Sequence, residues 1–265
     1  MFRLSKHCFL LYNTLQKGSV KMENRYASRI EKVQMSSIRV VMEKVEKLRS
    51  QGKSVVSLCA GEPDFNTPEG IKKATIEALN DNQTHYSSNR GYLGLRKKVA
   101  HLLKEQTTID YDSDTEIIMT CGCSEAINNV CQAFINKDDE VIIFTPAFVS
   151  YQNTVLLCEG IPVEIPLKAS NEFQIDIEEL KSKITNKTKM MIINNPSNPT
   201  GAVYQKEILE KVCQLARENN ILILADEIYN QLDYEKQYVS IASFENMKDY
   251  TIIVNGFSKA YAMTG

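Results

Sequence analysis

Apolar positions along the chain follow two alternating patterns, and these predict strands and helices in turn. Short, nearly continuous apolar runs predict buried strands, whereas apolar residues spaced three and four apart predict helices with one buried face. The runs that predict strands cover residues 117–120, 141–145, 162–165, 190–194, 221–225 and 251–255. The helical patterns between them cover residues 124–134, 148–157, 177–183 and 206–219.

This alternation predicts the fold class, which is α/β with a mostly parallel sheet sandwiched by helices. Parallel strands are covered on both faces, so their sequences are apolar throughout rather than at every second position. Ligands in such sheets bind beyond the carboxyl ends of the strands. Polar residues directly after each predicted strand are therefore the first candidates for a functional site.

The N-terminal part of the chain contains three further helical patterns and one short apolar run. The first helical pattern covers residues 38–49 and the third covers residues 93–103. The second runs to residue 79, with Thr67 as the predicted N-cap and Pro68 as the first helical residue. The short apolar run at residues 55–58 predicts a strand.

The composition is that of a globular protein, with 43% hydrophobic and 24% charged residues. Lys and Arg number 31 against 33 Asp and Glu, so the formal net charge is −2 and the chain lacks the basic excess of nucleic-acid-binding proteins. No apolar stretch reaches the ~18 residues of a membrane-spanning helix. We therefore expect neither nucleic acid nor a membrane as a partner.

The 7 cysteines are scattered and predict neither a disulfide framework nor a metal site. Zinc sites need regular ligand spacing and usually histidine partners, and the chain has only 3 histidines. Cys121 and Cys123 stand close enough in sequence to form a thiol pair in principle, but nothing near them completes a metal shell. We expect reduced thiols and no bound metal.

Residues 1–30 are predicted to form a basic extension that is either disordered or similar to a transit peptide. Four basic residues and no acidic residue precede Glu23, a pattern typical of organellar transit peptides. A disordered start, or an over-extended gene prediction with Met22 as the first residue, explains the same pattern. We expect a cytoplasmic protein, or a mitochondrial one if the extension is a transit peptide.

Small and polar residues follow two of the predicted strands in patterns that suit a bound phosphate and an oriented amide. Gly122, Cys123 and Ser124 open the helix after the first strand, where backbone N–H groups and the helix dipole favour an anion. No G-x-G-x-x-G or G-x-x-x-x-G-K-S/T motif is present, which disfavours a dinucleotide fold or a P-loop. The Asn-Pro-Thr-Gly turn at 198–201 is rigid and can aim the amide of Asn198 at a ligand.

Two further strand ends add an acid, a phenol and an amine. Asp226 and Tyr229 follow the strand at 221–225, and an acid at the end of a buried strand needs a cationic partner. Ser258 and Lys259 follow the last strand, and a lysine in a partly dry cleft can act as a nucleophile. Each feature alone is more typical of structural residues. Together they are what a pyridoxal 5'-phosphate (PLP) enzyme needs, namely a Schiff-base lysine and an acid for the pyridine nitrogen.

Four segments, in this order and spacing, resemble class I aminotransferases of PLP fold type I, and most closely the aspartate aminotransferase-like branch. The resemblance runs from about residue 33 to the last residue. It implies a PLP-dependent enzyme of amino-acid metabolism that transfers an amino group from an L-amino acid to a 2-oxo acid, and a homodimer with shared active sites. The segments are A-G-E-P-D-F at 60–65, N-P-T-G at 198–201, D-E-I-Y at 226–229 and S-K-A-Y-A-M-T-G at 258–265.

The resemblance implies a role for each residue that matches a family motif. Lys259 would hold the cofactor as an aldimine and move the substrate proton, while Asp226 would keep the pyridine nitrogen protonated. Tyr229 and Asn198 would hydrogen-bond the ring oxygen. The surrounding positions would be Gly122, Cys123 and Ser124 at the phosphate, Phe148 against the ring, Ser258 beside the lysine, Gly61 and Asn198 at the substrate, and Tyr86 at the site of the neighbouring subunit.

The resemblance also implies a domain layout and a departure from the family. Residues 31–58 would belong with a small domain, and residues 59–265 would form the PLP-binding large domain. Because the family's next arginine, inserted strand and C-terminal small domain do not follow, we expect a fragment or truncated gene prediction that is poorly stable and weakly active or inactive. The alternatives are another PLP fold type I reaction, such as that of a β-lyase or decarboxylase, and a non-catalytic truncated paralogue.

Overall fold

The computed structural model describes residues 27–33, 37–57 and 61–265. The chain divides into two compact units, residues 1–33 and 34–265. In the first unit the described residues form one exposed 3-10 turn, Ser28–Lys32. Most of the predicted basic extension lies outside the described residues, so that prediction stays a prediction.

The described residues of the second unit form seven α-helices and five strands, and most of these lie within a few residues of their predicted bounds. The helices are α1 (Ser37–Ser50), α2 (Glu69–Asn80), α3 (Leu93–Thr107), α4 (Cys123–Phe134), α5 (Val149–Leu157), α6 (Ile177–Lys183) and α7 (Lys206–Glu218). The strands are β1 (Glu140–Thr145), β2 (Ile161–Pro166), β3 (Thr188–Asn194), β4 (Leu222–Asp226) and β5 (Thr251–Val254). None of the described helices is both long and apolar enough to cross a membrane.

All five strands lie in one parallel sheet, in the order β2-β1-β3-β4-β5. The chain runs outward from β1 to β2 and then returns to β3 on the other side of β1. Such a reversal of strand order opens a crevice at the carboxyl ends of the two central strands. The predicted α/β fold is therefore confirmed, and the sheet order locates the edge at which a ligand binds.

Helices cover both faces of the sheet, because successive residues of a strand point to opposite sides. On one face, alternate strand residues pack against α6 and α7. On the other face, the intervening residues pack against α4 and α5. Ile142, Met191, Ile223, Leu180 and Leu209 are fully buried members of the first core, and Ile143, Met190, Leu224, Ile127 and Val155 belong to the second.

Two predicted strands are absent, and both fall where no neighbouring strand is available. Residues 117–120 form no ladder; the Met119 N–H donates to the Arg90 carbonyl at 3.0 Å, and Ile118 is 62% exposed. Residues 55–57 form no strand either, and Val56 is 86% exposed; residue 58 lies outside the described residues. An apolar run becomes a strand only if a partner edge satisfies its backbone groups.

The start of α2 also differs from prediction, by one residue. Pro68 is the N-cap, in an extended conformation, and the helix begins at Glu69. The Thr67 hydroxyl does not cap the helix and donates instead to the Ala262 carbonyl at 2.5 Å. A long-range bond therefore takes the donor that the local pattern assigned to the cap.

Candidate functional site

The candidate site lies at the carboxyl edge of the sheet, where three neighbouring strands end. Asn194 is the last residue of β3 and Asp226 is the last residue of β4, and the two are directly paired in register. Asp226 also pairs with Val254, the last residue of β5, so the Ser258–Lys259 step begins four residues beyond the same edge. The sheet thus brings together polar residues from distant parts of the chain.

Asp226 is buried, with only 4% of its surface exposed. Its Oδ2 accepts a hydrogen bond from the Tyr151 hydroxyl at 2.6 Å, and its Oδ1 accepts one from the Ile228 N–H at 3.2 Å. Burial raises the pKa of Asp226, and these two hydrogen bonds oppose that shift only in part. Both of these partners are neutral, so neither of them compensates a negative charge on the carboxylate.

Tyr151 is a site residue that the sequence did not reveal. It lies on α5, is fully buried, and packs edge to face against Phe148 with ring centroids 5.7 Å apart. Burial and the neighbouring Asp226 raise the pKa of Tyr151 well above its usual value, so it remains a hydrogen-bond donor. The only signal in the sequence is its position three residues after Phe148, on the same helix face.

The loop after β3 positions the amide of Asn198 beside the phenol of Tyr229. Asn194 anchors this loop, because its Nδ2 donates to the Asp226 carbonyl at 2.9 Å and its Oδ1 accepts the Asn198 N–H at 2.7 Å. The Asn198 Nδ2 then donates to the Tyr229 hydroxyl at 3.3 Å. Burial, followed by the charge of Asp226, raises the pKa of Tyr229. The Asn198 amide and the Tyr229 hydroxyl are thus positioned through Asn194 at the ends of β3 and β4.

The amine of Lys259 is held by the loop that contains Gly61. Its Nζ donates to the Gly61 carbonyl at 2.9 Å, and a Cβ built on Gly61 would lie 3.5 Å from the Tyr229 hydroxyl. The Thr67–Ala262 hydrogen bond joins the same two loops a few residues further along. Gly61, Tyr229 and Lys259 are therefore close neighbours.

The loop that follows β5, residues 255–265, carries Lys259 and is called the lysine loop below. The N-terminus of α4 contacts this loop at Cys123. A Cβ on Gly256 would lie 3.3 Å from the Cys123 sulfur. Burial and then the negative charge of Asp226 raise the pKa of Cys123 to about 12, while the positive charge of Lys259 opposes the shift. The thiol is thus within electrostatic range of both the acid and the amine.

Gly122 caps α4 with φ 81°, in the left-handed region that favours glycine. A Cβ at this position would meet nothing within 4 Å, so open space adjoins the first turn of the helix. The Glu125 carboxylate accepts the Cys121 N–H, which precedes that turn. The first N–H groups of α4, including those of Cys123 and Ser124, have no intrahelical partner and suit an anion.

The structure brings most, but not all, of the predicted site residues together. Asp226, Tyr229, Asn198, Lys259 and Gly61 are linked directly or through one neighbour, and Cys123 joins them. Ser258 shapes the lysine loop, since its carbonyl accepts the Thr264 hydroxyl at 3.1 Å. Tyr86 is fully exposed and lines an open cavity of about 480 Å³ with Tyr92, Met119 and Thr120.

The donor set fits PLP on one specific observation, which is that the buried carboxylate of Asp226 bonds only to neutral groups among the described residues. A buried carboxylate is costly without a positive partner, and a protonated pyridine nitrogen supplies that charge. The amine of Lys259, the phenol of Tyr229 and the first turn of α4 match the aldehyde, ring oxygen and phosphate. Within the described ranges, no group of three or more His, Cys, Asp or Glu side chains could hold a metal ion.

Known proteins resemble this chain over most of its length. A family model described as "Aminotransferase class I and II" matches residues 53–265. The aspartate aminotransferase of Pyrococcus abyssi is 45% identical over 214 residues, which are 80% of this chain and 55% of that protein. The aromatic-amino-acid aminotransferase 2 of Thermococcus litoralis is 43% identical over 241 residues, 90% of this chain and 61% of that protein.

Solved structures give the same picture. The Thermus thermophilus aspartate aminotransferase with maleate superposes with a TM-score of 0.86 at 38% identity, covering 91% of this chain and 62% of that one. An alanine aminotransferase from Pyrococcus furiosus superposes with a TM-score of 0.85 at 32% identity, covering 91% of this chain and 61% of that one. The chain therefore spans 55–62% of the length of these relatives.

Proposed function

The chain belongs to the family of class I and II aminotransferases, and we propose that the protein transfers an amino group from an L-amino acid to a 2-oxo acid with PLP as its cofactor. The observation that carries this proposal is the buried Asp226, which has neutral hydrogen-bond partners and shares its surroundings with the amine of Lys259. The relatives named above, which include aspartate, aromatic and alanine aminotransferases, support the same reaction.

Bound PLP supplies an electron sink that stabilises the negative charge left when the substrate loses its α-proton. Asp226 would make that sink effective by stabilising a proton on the pyridine nitrogen. Tyr151 orients the acid by donating to Oδ2, and the Ile228 N–H donates to Oδ1. Since Asp226 is buried, its charge acts at short range with little screening by water.

Lys259 is the residue that would bind the cofactor covalently and move the substrate proton. The Gly61 carbonyl accepts a hydrogen bond from Nζ, and this bond holds the amine beside Gly61, a close neighbour of Tyr229. Tyr229 and Asn198 would hold the ring oxygen, and Phe148 would pack against the ring. Gly122, Cys123 and Ser124 would hold the phosphate through the first turn of α4.

The substrates and the assembly are further parts of the proposal. An amino-acid donor and a 2-oxo acid acceptor follow from the reaction class, and Gly61 lies beside the amine where a substrate carboxylate would arrive. We also propose a homodimer in which Tyr86 contributes to the neighbouring site. The full exposure of Tyr86 leaves it available to a second subunit.

The proposal is tested by titrating the purified chain with PLP and then adding amino acids. We expect visible absorbance that is lost in Lys259→Ala and retained in Lys206→Ala, an exposed lysine on α7. Asp226→Asn should reduce turnover about as severely as Asp226→Ala, because a neutral amide cannot stabilise a pyridinium. The pyridoxamine form and a 2-oxo acid are the expected products. Ammonia or carbon dioxide would instead identify a lyase or decarboxylase, and an unchanged spectrum in Lys259→Ala would contradict the proposal.

A further inference from the structure

Glu227 is a buried acid that the proposed reaction does not use. It follows Asp226 at the end of β4 and is only 3% exposed. Its Oε1 accepts a hydrogen bond from the Ser240 hydroxyl at 2.7 Å, and its backbone N–H donates to the Val254 carbonyl at 2.8 Å. It therefore connects β4, the edge strand β5 and the long segment between them.

The groups that face Glu227 are neutral or negative. Ser240, Tyr238 and the Ile241 N–H contact its carboxyl group, and Asp226 and Tyr111 lie within electrostatic range. Burial raises the pKa of Glu227 from 4.5 to about 7, the charge of Asp226 adds to the shift, and the hydrogen bonds oppose it. A second buried negative charge next to Asp226 would be costly without a cation.

The Tyr238 hydroxyl is a second buried polar group beside Glu227. This oxygen is buried, packs beside the Glu227 carboxyl, and has no partner with good hydrogen-bond geometry among the described residues. Buried hydroxyls in native proteins are nearly always paired. Either form of Glu227 can pair with this hydroxyl, since a carboxylate accepts from it and a carboxylic acid can donate to it. The burial of Glu227 next to Asp226 is what favours the neutral acid, whose Oε1 still accepts from Ser240.

Glu227 also begins the turn that carries Tyr229. The Asn230 N–H donates to the Glu227 carbonyl at 3.0 Å, and the Leu232 N–H donates to the Tyr229 carbonyl at 2.8 Å. The hydrogen bond from Ser240, 13 residues after Glu227, joins the two ends of the segment that starts with this turn. Loosening Glu227 would therefore release the turn and move the Tyr229 hydroxyl away from Asn198.

We propose that Glu227 is a positioning residue, which acts as a neutral carboxylic acid, hydrogen-bonded to Ser240 and packed beside Tyr238, and thereby fixes the turn that bears Tyr229. The expected effect of Glu227 on PLP binding rests on the proposed function, whereas its effect on the turn does not. In the protein without PLP, the same anchor protects the backbone of residues 228–232. Asp226 then remains the single negative charge at this end of β4.

Glu227→Gln and Glu227→Ala separate a neutral anchor from an ionised one. Glutamine keeps one acceptor for Ser240 and supplies an N–H donor for Tyr238, so it reproduces the neutral acid. We expect Glu227→Gln to exchange its amides at 228–232 and to bind PLP as the wild type does. Glu227→Ala should exchange these amides about tenfold faster and bind PLP about tenfold more weakly, the effect of one lost buried hydrogen bond.

Controls keep the test independent of folding and of the proposed function. Glu210→Gln, an exposed glutamate on α7, should leave both measurements unchanged. If Glu227→Ala does not fold, Ser240→Ala removes the donor alone and should show the same direction of change. Equal losses in Glu227→Gln and Glu227→Ala would show that an ionised carboxylate is needed and would overturn the inference. If the wild type binds no PLP, the proposed function fails, while hydrogen exchange still tests Glu227.

Discussion

The pairing of Tyr151 with Asp226 shows how far residue-scale reasoning from the sequence can go. Asp226, Tyr229 and Lys259 could be singled out because each follows an apolar strand and matches a family motif. Tyr151 could not, because its partner is 75 positions away and only the packing of α5 against β4 brings the two together. The sequence predicts which residues end a strand, but long-range packing decides which of them touch.

Tyr151→Phe tests the orientation of the acid. Removing the hydroxyl leaves a buried Oδ2 without its donor, so we expect PLP binding to weaken by about 1–2 kcal/mol. The measurement is a PLP titration followed by absorbance, with Tyr234→Phe as the control at a 90% exposed position. Equal affinities in wild type and Tyr151→Phe would show that Tyr151 does not support the acid.

At the scale of elements, the local sequence pattern predicts the helices and most strands. It fails where a segment distant in sequence determines whether a strand or a helix cap forms. Five of the six strands in the alternating part formed as predicted, whereas residues 117–120 did not, because no described strand pairs with them. Thr67 looked like an N-cap, yet its hydroxyl bonds to Ala262 on the lysine loop. Both differences come from contacts between segments remote in sequence, which no local periodicity encodes.

Thr67→Val removes the bond between the two loops while preserving side-chain shape. We expect the lysine loop, residues 255–265, to become more accessible, with faster amide exchange and faster cleavage by a protease. Thr75→Val is the matched control, because the Thr75 hydroxyl donates to Ile71 within α2 on an exposed surface. Identical exchange in both variants would mean that the Thr67 bond does not hold the loop.

Gly122→Ala tests whether the N-cap of α4 needs a residue that tolerates a positive φ. The site around Gly122 is open, so the cost comes from the positive φ alone, and we expect about 1 kcal/mol of lost stability. Gly70→Ala lies in α2, where alanine is the better helix former, and should add about 0.5–1 kcal/mol. Chemical unfolding measures both, and a stabilising Gly122→Ala would contradict the strained cap.

At the scale of the whole molecule, the alternation of patterns was enough to predict the α/β class. The strand order β2-β1-β3-β4-β5 was not predicted, since it depends on which edges meet after the chain turns back. Knowing that order is what places three strand ends side by side. The assignment of residues 31–58 to a small domain stays a prediction, as do the cytoplasmic or mitochondrial location and the homodimer.

The pH dependence of global stability follows from the buried acids. The raised pKa of Glu227 means that the folded state binds more protons than the unfolded state between pH 4.5 and about 7. The free energy of unfolding should therefore fall as pH rises through this range, by about 1.4 kcal/mol per unit of pKa shift at most. Asp226 changes stability in the same direction. Denaturant unfolding of Glu227→Gln should show a smaller fall, and parallel curves would contradict a neutral Glu227.

The most direct test of the central claim is to reduce the PLP-loaded chain with borohydride and map the labelled peptide. The account predicts a phosphopyridoxyl label on the peptide containing Lys259, absent in Lys259→Ala and weaker in Asp226→Asn. Label spread over exposed lysines such as Lys206, with Lys259 unmodified, would contradict it.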